Sequence, residues 1–156
     1  MKVFLTGGTG LVGGHVLAQL RARGDTVLVL ARSAAAARAL AALGAEVLRG
    51  DLGDTAALER GVAGSDATVH AAAIVLGGTD WPAFHAANVA PTEALATSAA
   101  RHGAQFVHLS SVAVYGRRNT YAAGRNSVTE DFGLDQPAFA GDHYARSKRE
   151  AEQALW

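Results

Sequence analysis

No cysteine occurs among the 156 residues. That excludes a disulfide framework, a thiolate nucleophile, and zinc or iron–sulfur sites built on cysteine. Net charge is absent as well. The 14 Lys and Arg balance the 14 Asp and Glu, and no long run of one sign occurs, which argues against a nucleic-acid footprint, a polybasic membrane patch or an acidic tail. Long hydrophobic runs are missing too. The N-terminus, MKVFLTGGTG, reaches glycine after too few apolar residues for a signal-peptide core, and nothing downstream approaches a spanning helix. The expectation is a cytoplasmic chain with no membrane or nucleic-acid partner, folded as one globular domain over 1–156 on its 49% hydrophobic content.

What the chain does contain is alternation. Short apolar runs at 3–6, 26–30, 45–48, 67–71 and 105–109 are bounded by Gly, Asp or Ser, as strands covered on both faces require. Between and after them, 11–23, 34–43, 55–61, 83–102 and 142–156 carry the Ala, Leu and charges of helices. The order predicts a parallel α/β sheet. Gly24, Gly44 and Gly103 stand just past expected helices, where a left-handed cap is wanted. The stretch 116–141 has no clear period and holds Arg117, Arg118, Arg125, Glu130 and Asp131; it exceeds the usual loop of about 4 to 6 residues, and long loops are often functional.

The segment Thr6-Gly7-Gly8-Thr9-Gly10-Leu11-Val12-Gly13 follows the first strand and opens the first helix. Gly7, Gly10 and Gly13 have the spacing of a dinucleotide-binding turn: one glycine for the tight turn, one for close approach of a pyrophosphate, one for close helix packing. The N–H groups of Leu11, Val12 and Gly13 would face the phosphates. The nucleoside-triphosphate P-loop fails for want of lysine, because the helix begins Gly13-Gly14-His15. At the end of the second strand, Arg32 and Ser33 stand where an NAD site usually has a carboxylate. Arg32 suits the 2′-phosphate of NADP, or is an exposed arginine at a helix start. NADP is therefore preferred and NAD remains open. Asp51 and Leu52 follow the third strand, where an adenine ring would lie; Asp51 would accept its amine, or cap a helix.

Tyr144 and Lys148 are four residues apart on an expected helix, so they share a face. An ammonium beside a phenol favours the phenolate, which makes a general acid/base. Tyr-x-x-x-Lys alone arises by chance in many helices. It gains weight from Ser110 and Ser111, which end the fifth strand at the carboxyl edge of the sheet.

Together, TGGTGLVG at 6–13, GDLGD at 50–54, VHAAA at 69–73, NV at 88–89, FVHLSSVAVYG at 106–116 and YARSKREAE at 144–152 resemble the extended short-chain dehydrogenase/reductase family, also called the NAD-dependent epimerase/dehydratase family. The resemblance implies a Rossmann-type parallel sheet of about five strands with helices on both faces. It makes Tyr144 the catalytic acid/base, Lys148 the ligand of the nicotinamide ribose, and Ser111 the partner of the reacting carbonyl or alcohol, with Ser110 as the nearby alternative. It also puts Ala71, Ala72 and Ala73 along the cofactor, gives Asn88 a structural role, and implies a homodimer through the helix after the fourth strand and the Tyr/Lys helix. Arg32 departs from the NAD-preferring members. Extended members continue with further strands and a substrate lobe, so that part of the fold is expected to be missing.

Six histidines form no His-Glu-x-x-His pair, so no metal site is expected. His70 and His108 lie within expected strands as packed or hydrogen-bonded residues. His143 has no catalytic role, and Trp81 and Phe84 read as core in preference to contacts with a ligand or partner. The implied function is NAD(P)-dependent oxidation, reduction or epimerisation of a secondary alcohol or ketone, including nucleotide-linked sugars. A dinucleotide-binding sensor without catalysis, and an inactive cofactor domain, are the alternatives.

Overall fold

The computed structural model describes residues 1–75, 80–115, 129–130 and 141–156. Of the charged residues in the long loop, Arg117, Arg118, Arg125 and Asp131 lie outside the described residues, and Glu130 is exposed. The chain forms two compact units, Met1–Ala73 with Pro91–Leu109, and Ile74–Ala90 with Ser110–Trp156.

The first unit holds the whole sheet. Its strands are β1 (Lys2–Thr6), β2 (Thr26–Ala31), β3 (Glu46–Arg49), β4 (Ala67–His70) and β5 (Gln105–His108). They run in the order β3-β2-β1-β4-β5 with every pairing parallel, the Rossmann-type arrangement. Each was expected within a residue or two. The chain winds outward from β1 to β3 and then crosses to β4, so the direction of winding reverses between β1 and β4. Ligands of open α/β sheets bind at the carboxyl ends of the strands beside such a reversal.

Alternation of side chains sends neighbouring strand residues to opposite faces. Phe4 and Leu30 join Ala57, Leu58 and Val62 of α3 (Thr55–Ala63) and Leu95 and Ala99 of α5 (Ala90–His102) in one core. Leu5 and Val29 join Leu17 of α1 (Leu11–Ala22) and Leu40 of α2 (Ala34–Ala42) in the other. Each fully buried Leu, Val or Phe contributes about 1.5 to 3 kcal/mol. Gly24, Gly44 and Gly103 adopt φ of 89°, 79° and 65°, the left-handed caps expected of them.

The helix anticipated over 83–102 is different in kind. It begins as α4 (Trp81–Phe84), widens into a π segment at His85–Val89, and resumes as α5. Pro91 accounts for the widening. Its nitrogen has no hydrogen to donate four residues back, and its ring would strike that carbonyl in a regular α-helix.

The second unit also carries a 3₁₀ turn, Val112–Tyr115, and α6 (His143–Gln153). Asp142 caps α6, accepting the Ala145 N–H at 3.0 Å. The Arg149 guanidinium donates to the Val114 carbonyl through Nε at 3.0 Å and Nη2 at 2.8 Å, fixing the turn against α6. Phe84 is buried as expected, and the His143 ring lies against Trp81 and Phe84. Trp81 is half-buried rather than core, with the Arg146 guanidinium stacked 3.6 Å from its ring centroid. Among the described residues no helix is long and apolar enough to cross a membrane.

Candidate functional site

In the first unit the glycine turn leaves the carboxyl end of β1. Gly7 has φ +78°, and its carbonyl accepts the Gly10 N–H at 2.9 Å to close the turn. A Cβ on Gly7 would come within 2.6 Å of the Ala72 nitrogen, and one on Gly13 would overlap the Gly7 carbonyl oxygen. The turn therefore nests between the segment after β4 and the first turn of α1 with no room for a side chain. Gly10 is the N-cap of α1 and supplies no capping group, and the first turn contains no acidic residue. The first-turn N–H groups, which a helix cannot pair internally, are left to an outside acceptor, and the helix dipole favours an anion there. Leu11 is 81% exposed and Val12 46%. A cradle from which side chains are excluded, with an uncapped helix start and bare apolar residues beside it, fits a dinucleotide.

Around this turn, Arg32 is exposed at the end of β2, and the Ser33 hydroxyl accepts the Ala36 N–H at 3.1 Å to cap α2. Parallel register places Arg49 beside Ala31, and the Arg49 guanidinium donates to the Arg32 carbonyl at 3.2 Å. Two cations thus stand at adjoining strand ends, Arg49 beside the expected Arg32. Asp51 does not cap α3. Its carboxylate accepts the Gly53 N–H at 2.8 Å, and Asp54 takes the cap by accepting from Ala57 at 2.9 Å. Leu52 is half-buried against the α3 core. Ala71, Ala72 and Ala73 are half-buried, and the Ala71 N–H donates to the Thr6 carbonyl at 3.3 Å.

In the second unit, Tyr144 and Lys148 lie one turn apart on α6. Tyr144 is half-buried and Lys148 is 3% exposed. Burial pushes the Lys148 ammonium below the ordinary lysine range, and Glu152 pulls the other way. Ser111 opens the 3₁₀ turn, accepting the Ala113 N–H at its hydroxyl (3.2 Å) and the Val114 N–H at its carbonyl (3.1 Å). Since Arg149 holds that turn to α6, Ser111 and Lys148 sit on linked elements. The Ser110 hydroxyl oxygen is buried, with no hydrogen-bond partner among the described residues.

Asn88 and Ser147 brace this arrangement, and Ser147 was not anticipated. The Asn88 amide accepts the Ile74 N–H at 2.8 Å and donates to the Ile74 carbonyl at 3.0 Å and to the Ser147 hydroxyl at 2.9 Å. Ser147 in turn donates to the Tyr144 carbonyl at 2.8 Å. The only sequence signal for this clamp was Asn88 itself. No group of three His, Cys, Asp or Glu side chains able to hold a metal occurs among the described residues.

A five-stranded parallel sheet with its winding reversal beside a glycine turn after β1 defines a class of Rossmann-fold proteins, and comparison narrows it. The model of the NAD dependent epimerase/dehydratase family matches residues 3–156. The chain belongs to that family. It is 39% identical over 99% of its length to 4-hydroxy-2-methyl-3-oxo-4-farnesyl-3,4-dihydroquinoline-1-oxide ketoreductase of Stigmatella aurantiaca, covering 45% of that protein. To 2-alkyl-3-oxoalkanoate reductase of Stenotrophomonas maltophilia it is 32% identical, over 99% of this chain and 46% of the relative. A short-chain dehydrogenase/reductase superfamily protein from Agrobacterium tumefaciens, solved with bound NAD, superposes with a TM-score of 0.80 at 29% identity, over 99% of this chain and 44% of that one. The chain thus spans a little under half the length of these relatives.

Proposed function

We propose that this chain binds a nicotinamide dinucleotide, NADP in preference to NAD, and serves in reduction, oxidation or epimerisation at a secondary alcohol or ketone of a small molecule. The observation that carries the reading is the buried Lys148 ammonium one turn from Tyr144. Burying an ammonium costs desolvation, and ionisable groups perturbed by burial gather at functional sites. When bound, the dinucleotide supplies or accepts hydride at its nicotinamide ring.

The chain's own residues do the rest. The glycine turn, through Gly7, Gly10, Leu11, Val12 and Gly13, receives the pyrophosphate; Arg32, joined by Arg49, pairs with the 2′-phosphate; Asp51, Leu52 and Ala71 to Ala73 border the remainder. Lys148 holds the nicotinamide ribose. Tyr144 gives a proton to the substrate oxygen, or takes one from it, and Ser111 donates a hydrogen bond to that oxygen as charge develops there. The two reductases above support a ketone as substrate, and the NAD-bound neighbour supports the cofactor class. The same reading includes a homodimer, which light scattering of the chain in solution tests.

Fluorescence titration with NADPH and NADH tests binding, and turnover of small ketones with and without Tyr144→Phe tests chemistry. The reading holds if the chain binds NADPH the tighter and Tyr144→Phe binds equally but turns over at background. It fails if a folded chain binds neither cofactor.

A further inference from the structure

Register sets Thr6, His70 and His108 in one row across β1, β4 and β5, at the carboxyl ends of the strands. Thr6 is fully buried and His70 nearly so. The His70 Nδ1 lies 2.6 Å from the Thr6 Oγ1, and the His108 ring stacks against the His70 ring with centroids 5.6 Å apart. Thr6 is the residue before Gly7, and its hydroxyl also accepts the Ala72 N–H at 3.4 Å. One buried hydroxyl therefore touches both sides of the cradle: the start of the glycine turn and the alanine segment after β4.

We infer that His70 is a positioning residue for the dinucleotide cradle, acting through the Thr6 hydroxyl to hold the glycine turn against Ala72. The inference rests on the nucleotide reading above. A buried imidazole is tolerated where its ring nitrogens are bonded, and packing alone at this row would be met by an apolar side chain like those one residue earlier, Leu5 and Val69. With Nδ1 unprotonated, the Thr6 hydroxyl donates a hydrogen bond to the ring and keeps a lone pair for the Ala72 N–H, so both of its contacts are satisfied at once. Without the ring nitrogen the hydroxyl turns to another acceptor, and the Ala72 contact, already long, loses its orientation. Since Gly7 and Ala72 approach too closely to admit a Cβ, a small rotation at Thr6 moves the backbone that faces the ligand.

Three substitutions separate chemistry from volume. Asn places a polar atom where Nδ1 sits, Gln places one where Nε2 sits, and Phe keeps the ring without either. In titrations of the 156-residue chain, His70→Asn is expected to bind NADH and NADPH within about threefold of the parent, while His70→Gln and His70→Phe weaken both cofactors alike, by about tenfold or more. Thr6→Val, which is nearly isosteric, should reproduce that loss and carries the test if a His70 variant does not fold. Hydrogen exchange at the Ala72 amide should quicken in Thr6→Val and His70→Gln while Val29, at the centre of the sheet, is unchanged. Equal weakening by Asn, Gln and Phe would reduce His70 to a space-filling role and overturn the inference, as would unaltered binding in Thr6→Val. If the parent chain is folded and binds neither cofactor, the nucleotide reading itself falls and takes this inference with it; parental binding with indifferent variants removes the inference alone.

Discussion

Gly13 and Gly14 are neighbours in the first turns of α1, and alanine at the two positions should change stability in opposite directions. In a helix interior Gly→Ala is favourable by about 0.8 to 1 kcal/mol, since glycine loses the most backbone entropy on folding. At Gly14 the added Cβ meets the Gly8 oxygen at 3.7 Å, an ordinary contact, so the gain is realised in full. At Gly13 the same atom would overlap the Gly7 carbonyl oxygen and crowd the Gly8 Cα. Both obstacles are backbone, so the turn itself must open. Overpacking costs about 1 to 3 kcal/mol, and a clash against backbone belongs at the upper end. Against a helix gain of about 1 kcal/mol, the net loss is about 2 kcal/mol. The variants should therefore differ by about 3 kcal/mol, or roughly 6 to 12 °C in Tm for a chain of this size. Urea denaturation followed by circular dichroism measures the difference directly. Gly13→Ala should also lose dinucleotide binding, while Gly14→Ala keeps it. Equal stability of the two variants would refute the close packing of α1 on the turn.

Other consequences are testable with equal economy. Arg32→Ala and Arg49→Ala should each weaken NADPH by about tenfold, about 1.4 kcal/mol, and leave NADH unchanged; equal loss of both cofactors would detach these cations from the 2′-phosphate. Because burial lowers the Lys148 pKa, the unfolded chain binds more protons than the folded one between the folded value and the ordinary lysine value, and stability should climb as pH rises through that alkaline window. Lys148→Met should abolish the climb, which chemical denaturation at a series of pH values would show. In β5 and just after it, the side chains of Val107 and Leu109 are exposed, and among the described residues the strand is paired only with β4. Val107→Lys should reduce concentration-dependent association seen by light scattering, since a charge on an edge strand blocks further pairing.

The sheet was legible because each strand is short, apolar and punctuated, and its caps fell on glycines that only a left-handed turn requires. The glycine turn was legible for the same reason, as its constraints are local. What escaped depends on pairs distant in sequence. Arg49 becomes a neighbour of Arg32 only when β3 is registered on β2. Ser147 and Asn88 are separated by 59 positions, and neither residue type announces a hydrogen bond to the other. Asp51 and Asp54 both precede a helix, and only backbone conformation decides that the second is the cap. The π segment is an intermediate case. Pro91 in the middle of an otherwise good helical pattern signals an irregularity, but not whether the helix breaks, kinks or widens.

That widening bears on which changes of length the chain can absorb. A π turn is in effect an α-helix with one residue inserted, so His85–Val89 is where a single-residue deletion would restore a regular helix. Removing one residue between His85 and Ala87 turns Trp81 and Phe84 by about 100° relative to Asn88. Asn88 would keep its bonds to Ser147, whereas Trp81 and Phe84 would lose their places against His143 and Arg146 of α6. Deletion in the π segment should therefore disturb the second unit first, while deletion a turn later, within α5, should disturb the core around Leu95 and Ala99 first. The bulge acts as a phase adjuster that lets one helical stretch meet α6 both before the widening and within it.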